Sequence, residues 1–372
     1  MTVNTKEVKI VEETTLASTD VKCPGCGGTV KYDPTTLKMV CEFCGTAREL
    51  PPPEACAIVQ EQDFNSAVQR ASVNWGMVRK LVICSNCAGQ VLYDASQVSG
   101  CCPFCGSTNV MPAGETPDIM CPTGVIPFAF DQEVAKKAFI NNVTHRRFVH
   151  PAVKNVKLEN IVGVYLPFWT FDTYTVSSYV VDVGFEYSTS DGTSYRFRQY
   201  RGVKDWFIDD MVVFGTDKVN NPNIKMIERF NFGKALSYDP QYLAGFPAER
   251  YTIGLNDAWL KSRDLIQQKL KKDIGKYVCR CVKGDISKNE KLSTSYYNVT
   301  YKYVLAPVYF ANYKCGNKTY PVVINGQTGE VGCKTPSIFN RVFFYIFIFG
   351  FILPIVLIFT YAIASWILSF VF

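Results

Sequence analysis

The sequence predicts two tandem small zinc ribbons, followed by an α+β domain with a largely antiparallel sheet and a C-terminal transmembrane helix. Three observations predict this order. Cysteine pairs crowd the first third of the chain, strand-forming runs with two helical stretches fill the middle, and the last 31 residues contain no charge. With 372 residues, 48% of them hydrophobic and 19% charged, the chain can form two to three domains and is not expected to be disordered.

The first ribbon is predicted over 21–50 and the second over 81–111. Each holds two CxxC pairs separated by fourteen residues, and the two units align without a gap at an offset of 61 residues. Two residues between thiolates let one tight turn present both sulfur atoms to the same ion, and the insert is long enough for a hairpin that returns the second pair. The predicted ligands of two structural Zn²⁺ ions are Cys23, Cys26, Cys41, Cys44, Cys84, Cys87, Cys102 and Cys105.

The alternatives to these ligands are few. Cys101 competes with Cys102, but only Cys102 keeps the fourteen-residue spacing. Disulfides fit a reducing compartment poorly, and an iron–sulfur cluster is the minority interpretation. Four protein ligands leave no open coordination position, so the sites are predicted to be structural and not hydrolytic.

Other residues of the cysteine-rich third carry smaller expectations. Tyr32 with Phe43, and Tyr93 with Phe104, are expected to form the small apolar contact of each ribbon. The seven remaining cysteines lack ligand spacing and are expected to be free thiols. Among them, Cys279 and Cys281 alternate in a strand-like run, KYVCRCV.

The rest of the chain divides into a flexible N-terminus over 1–20, a linker over 51–80 and the α+β domain over 122–333. One helix is predicted in DQEVAKKAFINNV, with Asp131 as its N-cap, and a second in GLNDAWLKSRDLIQQKLKKDI. Strands are predicted in the runs IVGVYLPFWTFDTYTVSSYVVDVGFEY, TSYRFRQY, WFIDDMVVF, KYVCRCV, TSYYNVTYKYVLAP, VYFANYKC and KTYPVVINGQTGEV.

No catalytic constellation emerges from the α+β domain. His145 and His150 have no acidic or cysteine companion, and the acidic pair Asp209 and Asp210 is expected in a surface turn. No phosphate-binding loop, nucleophile elbow or HExxH motif occurs. The chain is therefore not expected to be an enzyme, and no small-molecule substrate is identified.

The uncharged segment 342–372 is expected to cross the lipid bilayer once, as a C-terminal tail anchor. A re-entrant hairpin and a buried core helix are the alternatives. Lys334 and Arg341 precede the span and nothing charged follows it, so the positive-inside rule predicts a cell-membrane protein with the bulk of the chain in the cytoplasm.

The order of the motifs resembles that of one bacterial family. Two ribbons are followed by VIPFAFD, VYLPFWTFD, YLAGF, LAPVYFANYKCGNKTYPVVINGQTGEV and an apolar end. The chain resembles bacterial TFIIB-type zinc-ribbon membrane proteins, which are often labelled primosomal helicase PriA. The helicase label does not suit this chain, which lacks a Walker A motif. The resemblance implies partners of membrane-stress systems, namely phage-shock-protein-A-like (PspA-like) and SPFH (flotillin-like) proteins.

Together these observations favour a membrane-anchored zinc-ribbon adaptor that binds proteins at the cytoplasmic face of the membrane. The alternative is a nucleic-acid-binding ribbon protein tethered to the membrane. Nucleic acid is the weaker expectation because the only basic residues between the ligands of either ribbon are Lys31 and Lys38, and backbone neutralisation normally supplies most of the affinity.

Overall fold

The computed structural model describes most of the ribbons and of the α+β domain. The described residues are 22–50, 59–65, 79–94, 102–105, 107–108, 110–112, 120–146, 153, 156–189, 192–217, 223–227, 229–316, 318–336, 347, 350, 352–356 and 359–360. The N-terminus 1–20 and most of the linker 51–80 lie outside them.

Fifteen strands are described, in two sheets of three and twelve strands. The three-stranded sheet consists of β1 (Val30–Asp33), β2 (Lys38–Cys41) and β3 (Ala47–Glu49). The twelve-stranded sheet consists of β4 (Gln62–Asp63), β5 (Arg79–Cys84), β6 (Gln90–Asp94), β7 (Val110–Pro112), β8 (Gly124–Val125), β9 (Leu158–Thr189), β10 (Gly192–Phe214), β11 (Leu236–Ser237), β12 (Ala248–Glu249), β13 (Ile286–Cys315), β14 (Lys318–Asn325) and β15 (Val331–Cys333).

Three very long strands dominate the large sheet. β9 has 32 residues, β13 has 30 and β10 has 23, and β9 lies between the other two in antiparallel register. At about 3.3 Å per residue, β9 is roughly 105 Å long. Residues 163–173 in its first half are buried without interruption, so both faces of the strand are covered there, whereas its second half largely alternates between buried and exposed residues. The sheet therefore passes from a body with two covered faces into a projecting arm, formed by residues 173–189, 192–208 and 286–297.

The helix α2 (Leu255–Val282) covers one face of the arm. Ile266, Leu270, Ile274 and Val278 recur every four residues, form one stripe and are buried. They pack with apolar residues of β9 and β10 in a core of their own. The predicted second helix is thus confirmed, and it extends beyond the predicted range to Val282.

The predicted strand KYVCRCV is wrong. These residues form the last two turns of α2, with Cys279 half-buried and Cys281 exposed. Val278 continues the apolar stripe of the helix at a spacing of four, and this outweighs the alternating pattern of the cysteines. The helix ends at Val282, and Lys283 caps it in a left-handed conformation with φ 54°.

The core of the body is aromatic. Trp169 stacks on Tyr303 with ring centroids 4.8 Å apart, and its indole N–H donates to the carbonyl of Ile253 at 2.9 Å. The helix α1 (Gln132–Thr144) lies on the same core through Phe139 and Val143. As predicted, the Asp131 carboxylate caps α1 by accepting a hydrogen bond from the backbone N–H of Val134 at 2.9 Å.

Two β-bulges mark the boundary between body and arm. One interrupts the pairing of β10 with β9 between Ile208 and Met211, and the other interrupts β13 between Tyr297 and Thr300. Asp210 lies in the first bulge with φ 45°. The predicted surface turn at Asp209 and Asp210 is therefore wrong, because both residues belong to a long strand whose bulge re-aims their side chains.

The two ribbons join the body differently. The strands of the second ribbon, β5, β6 and β7, continue the large sheet, since β6 pairs with β12 and β12 pairs in parallel with β9. The first ribbon keeps its own three-stranded sheet. The large sheet is mostly antiparallel, in agreement with the predicted class.

Most of the segment 342–372 lies outside the described residues, and so does most of the predicted transmembrane helix. Among the positions that are described, no helix combines the length and the apolar character needed to cross a bilayer.

Candidate metal centres

Each tetrad of cysteines is held by paired tight turns. In the first ribbon, Gly27 donates its N–H to the carbonyl of Cys23 and Gly45 donates to that of Cys41, at 2.8 and 2.9 Å. Both glycines have φ near 70°, which a residue with a side chain rarely adopts. In the second ribbon Ala88 takes the place of Gly27, with φ 56°, and donates to the carbonyl of Cys84 at 2.8 Å.

The eight predicted ligands come together as two clusters. The four sulfur atoms of each tetrad lie within 4.8 Å of one another. In the first ribbon, the Sγ–Sγ distances between one CxxC pair and the other are 3.4 Å for Cys23 and Cys44 and 3.5 Å for Cys26 and Cys41. The matching pairs of the second ribbon, Cys84 with Cys105 and Cys87 with Cys102, are 3.7 and 3.6 Å apart.

These distances fit a tetrahedral zinc ion. A Zn–S bond of about 2.3 Å gives an edge of roughly 3.8 Å between sulfur atoms, whereas a disulfide would bring them to about 2.05 Å. Cys102 belongs to the cluster, whereas Cys101 lies outside the described residues. Both tetrads therefore suit Zn²⁺ bound by four thiolates, and such an ion would supply much of the folding free energy of these small units.

Local hydrogen bonds prepare some of the thiols for metal binding. The hydroxyl and the backbone N–H of Thr46 lower the pKa of Cys44 to about 6. At Cys84, burial opposes the shift, but backbone N–H groups of Cys87 and Asn86 bring the pKa to about 7. Burial raises the pKa of Cys87 to about 11 and also raises that of Cys102. In the first tetrad, the backbone N–H of Gly28 opposes the shift, but hydrogen bonding with Cys41 and Cys44 raises the pKa of Cys26. Metal binding would therefore displace protons from the thiols with raised pKa in both tetrads, Cys26, Cys87 and Cys102.

The internal duplication is visible in the packing of one aromatic ring per ribbon. A Cβ atom added at Gly28 would lie 2.5 Å from the ring of Phe43, and one added at Gly89 would lie 2.5 Å from the ring of Phe104. In both ribbons the ring thus rests on a glycine beside the metal ligands, and a larger residue there would force the ring to move.

The surroundings of the two rings differ. Phe104 is half-buried and meets Phe310 of β13 edge-on, with centroids 5.3 Å apart. Phe43 occupies the equivalent position and is 75% exposed. We call the second CxxC turn of each ribbon, which carries this phenylalanine, its knuckle. The knuckle of the second ribbon is docked on β13 of the body, whereas the knuckle of the first ribbon faces solvent.

The expected contact between Tyr32 and Phe43 is not the arrangement found. Tyr32 is buried against the α+β domain, where its ring meets that of Tyr242 at 5.5 Å and its hydroxyl donates to the carbonyl of Phe128 at 3.3 Å. Tyr32 was expected in a core of the ribbon itself, because so small a unit needs apolar contacts to fold. Instead, its side chain is buried in the core of the α+β domain. The hairpin of the first ribbon is therefore fixed to the α+β domain, whereas its knuckle faces solvent.

A third cluster, which the sequence analysis did not detect, lies at the bulge of β10. The ammonium of Lys302 contacts Glu61 Oε1 at 2.6 Å and Asp210 Oδ1 at 2.8 Å, and Asp172 Oδ1 accepts from the backbone N–H of Asp210 at 2.8 Å. Burial raises the pKa of Asp172 to about 6. Lys302 is 8% exposed and occupies the space between the carboxylates, so the cluster is a half-buried ion-pair network.

The other predicted residues stay apart from these clusters. His145 follows the end of α1, where one ring nitrogen lies 2.8 Å from the carbonyl of Asn141, and His150 lies outside the described residues. Five of the seven further cysteines are described, and all are free thiols: Cys121, Cys279, Cys281, Cys315 and Cys333.

Comparisons with known proteins give one distant relative. The chain is 25% identical over 230 residues to the uncharacterized protein YdjG of Bacillus subtilis (strain 168). The match spans 58% of this chain and 64% of the length of that protein. No family model matches the chain, and no solved structure matches it.

Proposed function

We propose that the chain is an adaptor that binds a partner protein through the metal knuckle of its first ribbon. The observation that carries the proposal is the contrast between Phe43 and Phe104. The second ribbon uses its knuckle ring to bind an aromatic surface at Phe310, whereas the first ribbon presents the same ring to solvent. An aromatic ring fixed on a rigid metal-bound turn is suited to act as a binding anchor.

The charges of the first ribbon support a protein partner over nucleic acid. Lys31 and Lys38, the two lysines between its ligands, are paired with Glu42 and Glu49 at 2.7 and 3.2 Å. Lysines engaged with carboxylates contribute little to neutralising phosphates, and phosphate contacts supply most of the affinity for nucleic acid.

The membrane part of the proposal rests on the uncharged segment 342–372. Lys334, which precedes this segment, lies near the start of β9. Its carbonyl accepts a hydrogen bond from the Tyr313 hydroxyl at 2.8 Å, and Tyr313 pairs with Leu158, the first residue of β9. That is the opposite end of β9 from the arm. A tail anchored in the bilayer would thus leave the arm projecting into the cytoplasm, open to partners. The resemblance suggests PspA-like and SPFH proteins.

The proposal can be tested by affinity capture of the full chain from detergent-solubilised, nuclease-treated membranes, followed by mass spectrometry. The test variant is Phe43→Ala. The matched control is Leu37→Ala, which removes another exposed apolar side chain, 59% exposed, from the same ribbon. We expect one or a few proteins to be lost with Phe43→Ala and retained with Leu37→Ala.

Two outcomes would overturn the proposal. If the captured proteins are the same with Phe43→Ala and with the wild type, the knuckle is not the binding surface. If proteins are recovered only when nuclease is omitted, binding passes through nucleic acid and the alternative function replaces the adaptor.

A further inference from the structure

In the part of the chain that the structure describes, α2 covers one face of the arm and no element covers the other, which we call the bare face. α2 packs on the side chains of odd-numbered residues of β9, such as Val181 and Val183. The bare face carries the even-numbered residues and their partners on β10 and β13. Tyr174, Val176, Val203, Phe207 and Tyr297 on this face are 39–65% exposed, an unusual density of large apolar groups.

The register of the three strands arranges the bare face in rows. From the body outward, with the residue of β9 in the middle, the rows are Phe207–Tyr174–Tyr297, Asp205–Val176–Ser295, Val203–Ser178–Ser293, Arg201–Val180–Lys291 and Gln199–Asp182–Lys288. Opposite charges therefore flank the central row at equal distances on β10, with Asp205 on one side and Arg201 on the other.

We propose that the bare face binds the same face of a second copy of this chain, about a two-fold axis that lies across the strands at the row of Ser178. This axis reverses the order of the rows and keeps each strand opposite its own copy. Asp205 of one chain then meets Arg201 of the other, twice. Val203, Ser178 and Ser293 meet their own copies, and Val176 meets Val180.

The charges select this arrangement over its neighbours. An axis one row closer to the body would set Asp205 against itself, and one row farther out would set Arg201 and Lys291 each against itself. An axis along the strands would set Arg201 against Lys291. Like charges held together cost affinity, and of the four axes compared here only the one at Ser178 brings Asp205 opposite Arg201 without setting like charges against each other.

The two outermost rows of the patch are also brought together by this axis. The aromatic row meets the row of Gln199, Asp182 and Lys288, so the hydroxyls of Tyr174 and Tyr297 face polar and charged groups. Three strands about 4.8 Å apart and nine residues long at about 3.3 Å per residue give a face of roughly 14 by 30 Å. The two faces together would bury roughly 840 Å², the size of a weak and transient interface, and we expect a dissociation constant in the micromolar range.

The first test is a charge exchange on the full chain in detergent, with sedimentation velocity at about 1 to 100 μM. We expect Asp205→Arg and Arg201→Asp each to raise the dissociation constant of the dimer at least tenfold, and the double variant to restore it. Lys272→Asp, on the exposed face of α2, is the matched control for the change of charge and should leave the dimer unchanged.

The second test places a cysteine on the axis. Ser178→Cys should be cross-linked to its own copy in membranes by a short bis-maleimide, more than the wild type and more than Lys272→Cys, which controls for the native thiols. A chain that stays monomeric at 100 μM overturns the proposal. So does a dimer that the single charge variants leave unchanged, or one that the double variant fails to restore. Protection of the thiol of the Ser178→Cys variant by a different co-purified protein would also overturn it, and would assign the face to that partner instead.

Discussion

Replacing Phe104 by alanine is expected to lower the free energy of unfolding by about 2 kcal/mol, and replacing Phe43 by about 0.5 kcal/mol or less. A fully buried phenylalanine costs about 3–5 kcal/mol when truncated. Phe104 is half-buried, which reduces that range by about half. Phe43 rests on the equivalent glycine but is 75% exposed, so it loses little burial.

The assay is urea unfolding of the zinc-loaded chain in detergent, followed by tryptophan fluorescence, because Trp169 lies in the core of the body. Phe310→Ala and the double variant complete a cycle with Phe104→Ala. The edge-on ring contact at 5.3 Å should give a coupling energy of about 0.5–1.5 kcal/mol.

Equal losses for the two single variants would refute the reasoning, because they would mean that Phe43 is as well packed as Phe104. A coupling energy of zero between Phe104 and Phe310 would also refute it, since the second knuckle would then not be docked on β13. In either case the exposed ring could no longer be interpreted as the free equivalent of a docked one.

Three further predictions concern charges and metal. Lys302→Met should lower the free energy of unfolding at pH 7 by about 3 kcal/mol, because it leaves the carboxylates of Glu61 and Asp210 without their cation. Denaturant titrations should show a smaller loss as the pH is lowered toward 5, because protonation removes the unpaired negative charge. Burial raises the pKa of Glu249 above its ordinary value of 4.5, so above that pH the folded state holds a proton that the unfolded state releases. The stability of the wild type should therefore fall relative to that of Glu249→Gln as the pH rises from 4.5, with a limiting slope of about 1.4 kcal/mol per pH unit; Glu133→Gln, at an exposed glutamate, is the control. Metal analysis should find two Zn²⁺ per chain. Cys87→Ser should lower the melting temperature of the body by about 5 °C and Cys26→Ser by about half as much, because the second ribbon shares the large sheet whereas the first contributes only side chains such as Tyr32 to the core; equal shifts would contradict this difference.

The two cysteine tetrads could be predicted because their chemistry is local. Two residues between cysteines and a fourteen-residue hairpin define both tetrads without reference to the rest of the chain. The cap of α1 at Asp131 was likewise predictable from one side chain and the helix that follows it. By contrast, the network of Lys302 draws Glu61, Asp172 and Asp210 from segments far apart in the sequence, and no local pattern signals it.

The long strands were predicted in pieces because their interruptions look like turns. The strand β10 was divided at RGVKD, yet Gly202 lies within the strand, where a Cβ would come 2.6 Å from the hydroxyl of Tyr179. This glycine makes room for a cross-strand ring instead of turning the chain. Such a role depends on the register between two strands, which the sequence of either one does not contain.

The pairing of β9 with β13 has a consequence for folding during synthesis. Leu158 pairs with Tyr313, and the two strands are antiparallel along almost their whole length. One edge of the buried part of β9 therefore stays unpaired until β13 has been synthesised, which requires more than a hundred further residues to leave the ribosome. Contacts so distant in sequence form slowly, and an unpaired apolar strand edge invites aggregation. The nascent chain is thus expected to need chaperone protection over this interval, and truncations that remove β13 should be recovered in aggregates.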